Sequence, residues 1–228
     1  MLTAIALVPS APVMVPELAG GAAGELADLR AAVARCVEGL PDRWIAIGVG
    51  AVDEVLTPPK VGTFAGYGVD VRVALSPDAD AAPVELPLCA LITAWARGEY
   101  APRAAAEVRV FSGDLAADTA HTRGRELRAL LDDADGPVGV LVVADGCHTL
   151  TPPAPGGYDP DSVAVQAQLD EALAAGDPAA LSRLPDSVVG RVAYQVLAGL
   201  TGPASGAAEE FYRGAPYGVG YFAGRWTP

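Results

Sequence analysis

Short, wholly apolar runs alternate along the chain with longer stretches in which apolar residues recur every three or four positions. Residues 2–8, apolar but for Thr3, and residues 138–144 are runs of strand length. The second is apolar throughout, which is the pattern of a strand covered on both faces, so it is expected at the centre of a sheet. Residues 44–49 form a shorter apolar run, 69–75 alternate around Arg72, and 108–111 read as a further strand. A glycine-broken strand is expected over 218–223. Leu26, Leu29, Val33 and Val37 fall at helical spacing and predict a helix over 20–39. The same reasoning predicts helices over 86–97, 116–131, 162–175 and 186–200. Strands alternating with helices predict an α/β fold: a single domain over residues 1–228, with a central mostly parallel or mixed sheet flanked by helices. There is no internal repeat, and the Pro/Gly-rich stretch 149–160 reads as a loop within the domain.

Composition changes this picture little. Of 228 residues, 45 are Ala, so the 51% hydrophobic content overstates the core, because Ala buries little area. The net charge is −13 and Lys60 is the single lysine. No cluster of basic residues exists to follow a phosphate backbone, so nucleic acid is not expected as a partner. The longest apolar run is far too short to span a bilayer, so no membrane partner is expected either. Cys36, Cys89 and Cys147 are odd in number and widely spaced, which gives no disulfide framework. Residues 1–16 carry no charge, as a secretory core would. They lack a basic lead, however, and Pro9, Pro12 and Pro16 interrupt them, so a buried first strand and a cytoplasmic protein are expected.

Ligands of open α/β sheets collect beyond the carboxyl ends of the strands. That directs attention to residues 9–12, 48–53 and 145–148. His148 follows the most apolar strand, where a general acid or base would have rigid support and an open mouth; Asp145 could orient it. Cys147 and His148 are adjacent and would point to opposite faces of extended chain, which argues against a nucleophile pair. His121 lies within a surface-helix pattern. Gly48 and Gly50 follow a strand, but Asp53 takes the third glycine position and no helix opens after it, so a dinucleotide loop is not indicated. Ser10, between Pro9 and Pro12, reads as a turn serine.

The stretch His148-Thr149-Leu150-Thr151-Pro152-Pro153-Ala154-Pro155-Gly156-Gly157-Tyr158-Asp159-Pro160 resembles the class III extradiol ring-cleavage dioxygenase B-subunit-like superfamily. That superfamily includes the catalytic subunit of protocatechuate 4,5-dioxygenase and the Memo-like proteins. Gly176-Asp177 with Leu181, Pro216-Tyr217-Gly218-Val219-Gly220-Tyr221, and Pro9, Pro12, Pro16 and Glu17 match other runs of the superfamily. The resemblance covers nearly the whole chain and is strongest over the last 85 residues or so.

In active members, the resemblance implies, iron(II) is held by two histidines and a glutamate. The first histidine position is Ser10 here. The second falls in residues 48–53, which contain no histidine. The glutamate region is 186–191, where Asp186 is the sole carboxylate, and a further active-site histidine near 84–88 is also missing. His148 stands at the position of the acid/base histidine. Hydroxyl and glycine cannot replace imidazole and carboxylate as iron ligands, so no cofactor is expected. The expectation is a dioxygenase-like protein without iron that keeps a small-molecule cleft, suited to an aromatic ligand, around His148. Ser10, Gly50, Asp53, Pro155 and Tyr158 should line that cleft, with His148 and Asp145 as the catalytic candidates. Three alternatives stay open: a ring-cleaving or other metalloenzyme with non-standard ligands, a protein-interaction module, and a metal-free acid/base enzyme using His148. Homo-oligomerisation is likewise open.

Overall fold

In a computed structural model, which describes residues 1–202 and 206–228, the two most apolar runs become adjacent central strands. The nine strands of the described residues are β1 (Leu2–Val8), β2 (Arg43–Gly50), β3 (Glu54–Leu56), β4 (Val61–Thr63), β5 (Arg72–Ala74), β6 (Ala105–Ser112), β7 (Val138–Val143), β8 (Ala208–Gly214) and β9 (Tyr221–Trp226). Seven of them form one sheet in the order β3-β6-β2-β7-β1-β9-β8. The four middle strands, β6, β2, β7 and β1, are parallel. The strands outside them, β3, β9 and β8, run antiparallel to their neighbours. The protein is therefore a single-domain α/β structure with a mixed central sheet.

Every residue of β7 is buried, because helices cover both faces of the sheet. Leu141 and Val143 pack with Ala6, Val8, Trp44 and Ala46 on one face. Helices α2 (Ala27–Glu38) and α3 (Leu88–Tyr100) cover that side. Val140 and Val142 pack with Ile5, Leu7, Ile45 and Ile47 on the other face. There α4 (Ala117–Asp132), α5 (Asp161–Ala175) and α7 (Arg191–Thr201) provide the cover. Two four-residue helices, α1 (Pro16–Ala19) and α6 (Pro178–Leu181), complete the set. Helix α3 lies so close to β2 that a Cβ at residue 48 would collide with Cys89. No helix of the described residues is long and apolar enough to cross a membrane.

Several expected elements differ in detail. The helix expected over 20–39 is a 3-10 stretch, Gly20–Leu26, followed by α2. Three glycines in that first stretch weaken an α-helix. The strand expected over 69–75 shrinks to β5, which pairs with β4 in a separate small sheet. The helix expected from 186 begins at Arg191, because Gly190 bonds to the Asp145 carbonyl instead of opening a turn further back. The last strand lies three residues later than expected. Gly218 has φ of 73° and makes a turn, and the pairing partner β8 carries Glu209, Glu210 and Arg213, which hid its strand character.

Candidate functional site

The parallel strands β1, β2, β6 and β7 all end on one side of the molecule, and their registers set the exits next to one another. Val8 and Gly48 both pair with Val143, and Gly50 pairs with Ser112. Two residues on, the exit of β7 is Asp145, flanked by Ser10 after β1 and by Gly50 at the end of β2. The Ser10 backbone N–H donates to Oδ1 of Asp145 at 2.8 Å. The other carboxylate oxygen makes no hydrogen bond among the described residues. Burial pushes the Asp145 carboxyl up to about 7, against the pull of the Ser10 N–H. Asp145 forms no ion pair among the described residues, so the Ser10 N–H alone opposes this desolvation and does so only in part. A carboxyl group in this state is half protonated near neutral pH and can either accept or donate a proton.

The loop after Asp145 is fixed from three sides. Gly190 donates to the Asp145 carbonyl at 2.9 Å, and Val189 to the Gly146 carbonyl at 3.1 Å. On the opposite side Gly146 donates to Gly220 and Gly220 donates to Cys147, both at 2.8 Å. From α5, Gln166 accepts from the Cys147 N–H at 2.8 Å and donates to Asp170 at 2.8 Å. A Cβ on either Gly146 or Gly220 would collide with the Gln166 amide, so the two glycines make its slot. Gln166 sits in the buried stripe Ser162, Gln166, Leu169 and Leu173 of α5. A polar residue within such a stripe is the sequence signal that could have found it.

His148 is half-buried, and its imidazole packs against Gly156, where a Cβ would lie 2.5–2.6 Å from the ring. Its carbonyl accepts from Gly156 N–H at 3.0 Å, while Nδ1 is enclosed without a hydrogen-bond partner. Asp145 therefore does not orient the imidazole through a hydrogen bond, contrary to the arrangement expected from the sequence. The carboxylate turns toward β1 instead, because the Ser10 N–H lies there. Pro155 and Tyr158 lie exposed on the loop that carries Gly156.

Gly50 lines a cavity of about 530 Å³ formed by residues 49–52, Glu54 and residues 85–88. It lies between the end of β2 and the start of α3. Asp53 is turned away from it: its carboxylate caps the Ser112 N–H at 2.7 Å and borders a separate cavity of about 260 Å³ with Arg109 and Arg123. The structure thus brings Ser10, Asp145 and Gly50 to adjacent strand exits and places Asp53, Pro155 and Tyr158 elsewhere on the same rim. Glu54 went unremarked in the sequence, and residues 84–88 stand out in it only for the histidine they lack, since an acidic residue in a turn carries no signal of its own.

Comparison with known proteins adds the fold. No family model matches the chain, and no curated protein matches its sequence. Its backbone is similar to the crystal structure of an uncharacterized protein, JW3007, from Escherichia coli K12. The TM-score is 0.60, and the match covers 98% of this chain and 99% of that one at 11% identity. At that identity the likeness shows a shared α/β fold and nothing about chemistry.

The iron(II) implied by the resemblance can be tested against the residues present. Ser10 offers only a hydroxyl in place of an imidazole, and Gly50 offers no side chain. Among the described residues no three of His, Cys, Asp and Glu converge in a way that could hold a metal ion. The donor set does not fit iron(II), which needs imidazole and carboxylate together.

Proposed function

We propose that the protein binds a small organic molecule at the carboxyl ends of β1, β7 and β2, without a resident iron ion. On this reading it is a relative of the class III extradiol ring-cleavage dioxygenases in which the iron ligands have been replaced and the cleft kept. One observation carries the proposal. Residues 48–53 and 84–88, remote in sequence, are the two segments to which the resemblance assigns an iron ligand and an active-site histidine. Members of both line the same cavity of about 530 Å³. Small-molecule sites are typically concave, largely apolar and of roughly this size. Val49, Val52, Leu86 and Pro87 supply apolar wall here. Asp145 stands at the neighbouring strand exit, outside the residues that line this cavity, with one carboxylate oxygen that makes no hydrogen bond among the described residues.

Catechol, kept reduced under anaerobic conditions, is the probe that tests this. Titration followed by amide NMR should shift Gly50, Ala51, Leu86 and Leu88. Ala51→Trp, a substitution at an exposed wall position, should abolish those shifts and leave the melting temperature unchanged. Shifts confined to another surface, or none, would overturn the reading.

A further inference from the structure

We propose that the molecule taken up by this cleft carries a protonated amine on an apolar body, such as an arylalkylamine. The inference rests on the small-molecule reading above and adds the ligand's charge. The cavity over Gly50 has two ionisable groups in its wall, Glu54 and Glu85, and both are acids. Neither carboxylate makes an ion pair or a hydrogen bond among the described residues. Three further cavities differ in kind, because each carries arginine: Arg109 and Arg123 in one, which Glu54 also borders, Arg72 and Arg97 in the second, Arg125 and Arg128 in the third. Asp145 adds a third carboxyl on the same side of the sheet. Side chains alternate along β7, so residue 145 shares the face of Leu141 and Val143, which α3 covers. Its second oxygen makes no hydrogen bond among the described residues.

The rival charge in this place is the start of α3, whose first N–H groups favour an anion. A helix N-terminus is equivalent to roughly half a positive charge. Two ionised glutamates outweigh it, and two of the early N–H groups, those of Ala90 and Leu91, already donate to the Pro87 carbonyl. A carboxylate ligand would face net repulsion here, a neutral one would leave the glutamates unanswered, and an ammonium group would meet them. The apolar wall from Val49, Val52, Leu86 and Pro87 then covers the rest of the molecule. The glutamates are exposed, so each contributes modestly. Together they give a preference of about three- to tenfold rather than an absolute requirement.

Three probes of one size decide the matter: 2-phenylethylamine, 2-phenylethanol and phenylacetate, titrated into the full chain at pH 7.5 and followed by amide NMR at residues 49–52 and 85–88. The expected order is amine, then alcohol, then acid, with the amine at least threefold tighter than the alcohol. In the double variant Glu54→Gln, Glu85→Gln the amine and alcohol should bind within twofold of each other, with the alcohol unchanged. If the alcohol or the acid binds the native protein as tightly as the amine, or if the preference survives in the double variant, the amine proposal is overturned and the small-molecule reading stands. If none of the three, nor catechol, shifts these amides, both fall.

Discussion

Asp145 is the residue on which burial acts most directly at the proposed site. Its carboxyl is pushed from an ordinary value of 3.8 to about 7 by desolvation, with the Ser10 N–H opposing. Between those values the folded chain keeps a proton that the unfolded chain has lost. The folded state then binds more protons, so stability falls as pH rises through this window and levels off above it. Asp170 adds a contribution of the same sign in a narrower window, since burial raises it to about 6 against the Gln166 amide and Arg213. Asp145→Asn removes the titration and keeps an acceptor for Ser10. Urea midpoints measured from pH 4.5 to 7.5 should therefore decline less in Asp145→Asn than in the native protein. Parallel declines would mean that Asp145 ionises as an ordinary surface carboxylate. The sequence made Asp145 and His148 visible, because they follow its most apolar run. It could not make visible that the carboxylate faces Ser10 rather than His148. That depends on which neighbouring backbone N–H groups are free once β1 and β7 are paired.

Elements were legible in proportion to how strongly burial had marked them. β7 is apolar on both faces and β1 is so from Ala4 onward, and residues 2–8 and 138–143 are found as strands almost to the residue. β8 carries three charges in seven residues and gave no signal, since an edge strand can keep polar side chains in water. The packing of α4 against α7 was equally hidden, although two glycines made it. A Cβ at residue 199 would collide with the His121 carbonyl, and one at residue 124 with the Val196 carbonyl. These are backbone obstacles, so relief requires the helices to move apart. Gly199→Ala should cost about 1–3 kcal/mol, the range for overpacking a tight interface. Gly98→Ala provides the opposite case. It lies within α3, where a Cβ meets nothing within 4 Å, so the better helix former should stabilise by up to about 1 kcal/mol. Chemical denaturation of the two variants distinguishes them by sign. A neutral Gly199→Ala would show that the α4–α7 contact is looser than described.

At the scale of the whole molecule, the sheet order is what gathers a site. Four parallel strands leave together, so Ser10, Gly50, Ser112 and Asp145 share one rim although they span more than half the chain. The same order keeps the two histidines apart in kind: His148 follows the central strand, while His121 is within α4, its carbonyl pressed against Gly199. A rim with one imidazole and scattered carboxylates should bind iron(II) weakly, and folding stability measures this without reference to any reaction. A metal that binds only the folded state at a hundred times its dissociation constant adds about 2.7 kcal/mol. For a chain of this length that raises the melting temperature by roughly 5–10 °C. With 1 mM iron(II) under anaerobic conditions, a site with a dissociation constant of about 10 µM would reach that regime. The expected shift is below about 1 °C, and catechol should remain uncleaved, with no yellow ring-opened product on admitting oxygen. A rise of several degrees at one equivalent of iron would mean that Asp145, Glu54 or Glu85 can be drawn together around a metal. It would favour a metalloenzyme with non-standard ligands over the iron-free reading proposed above.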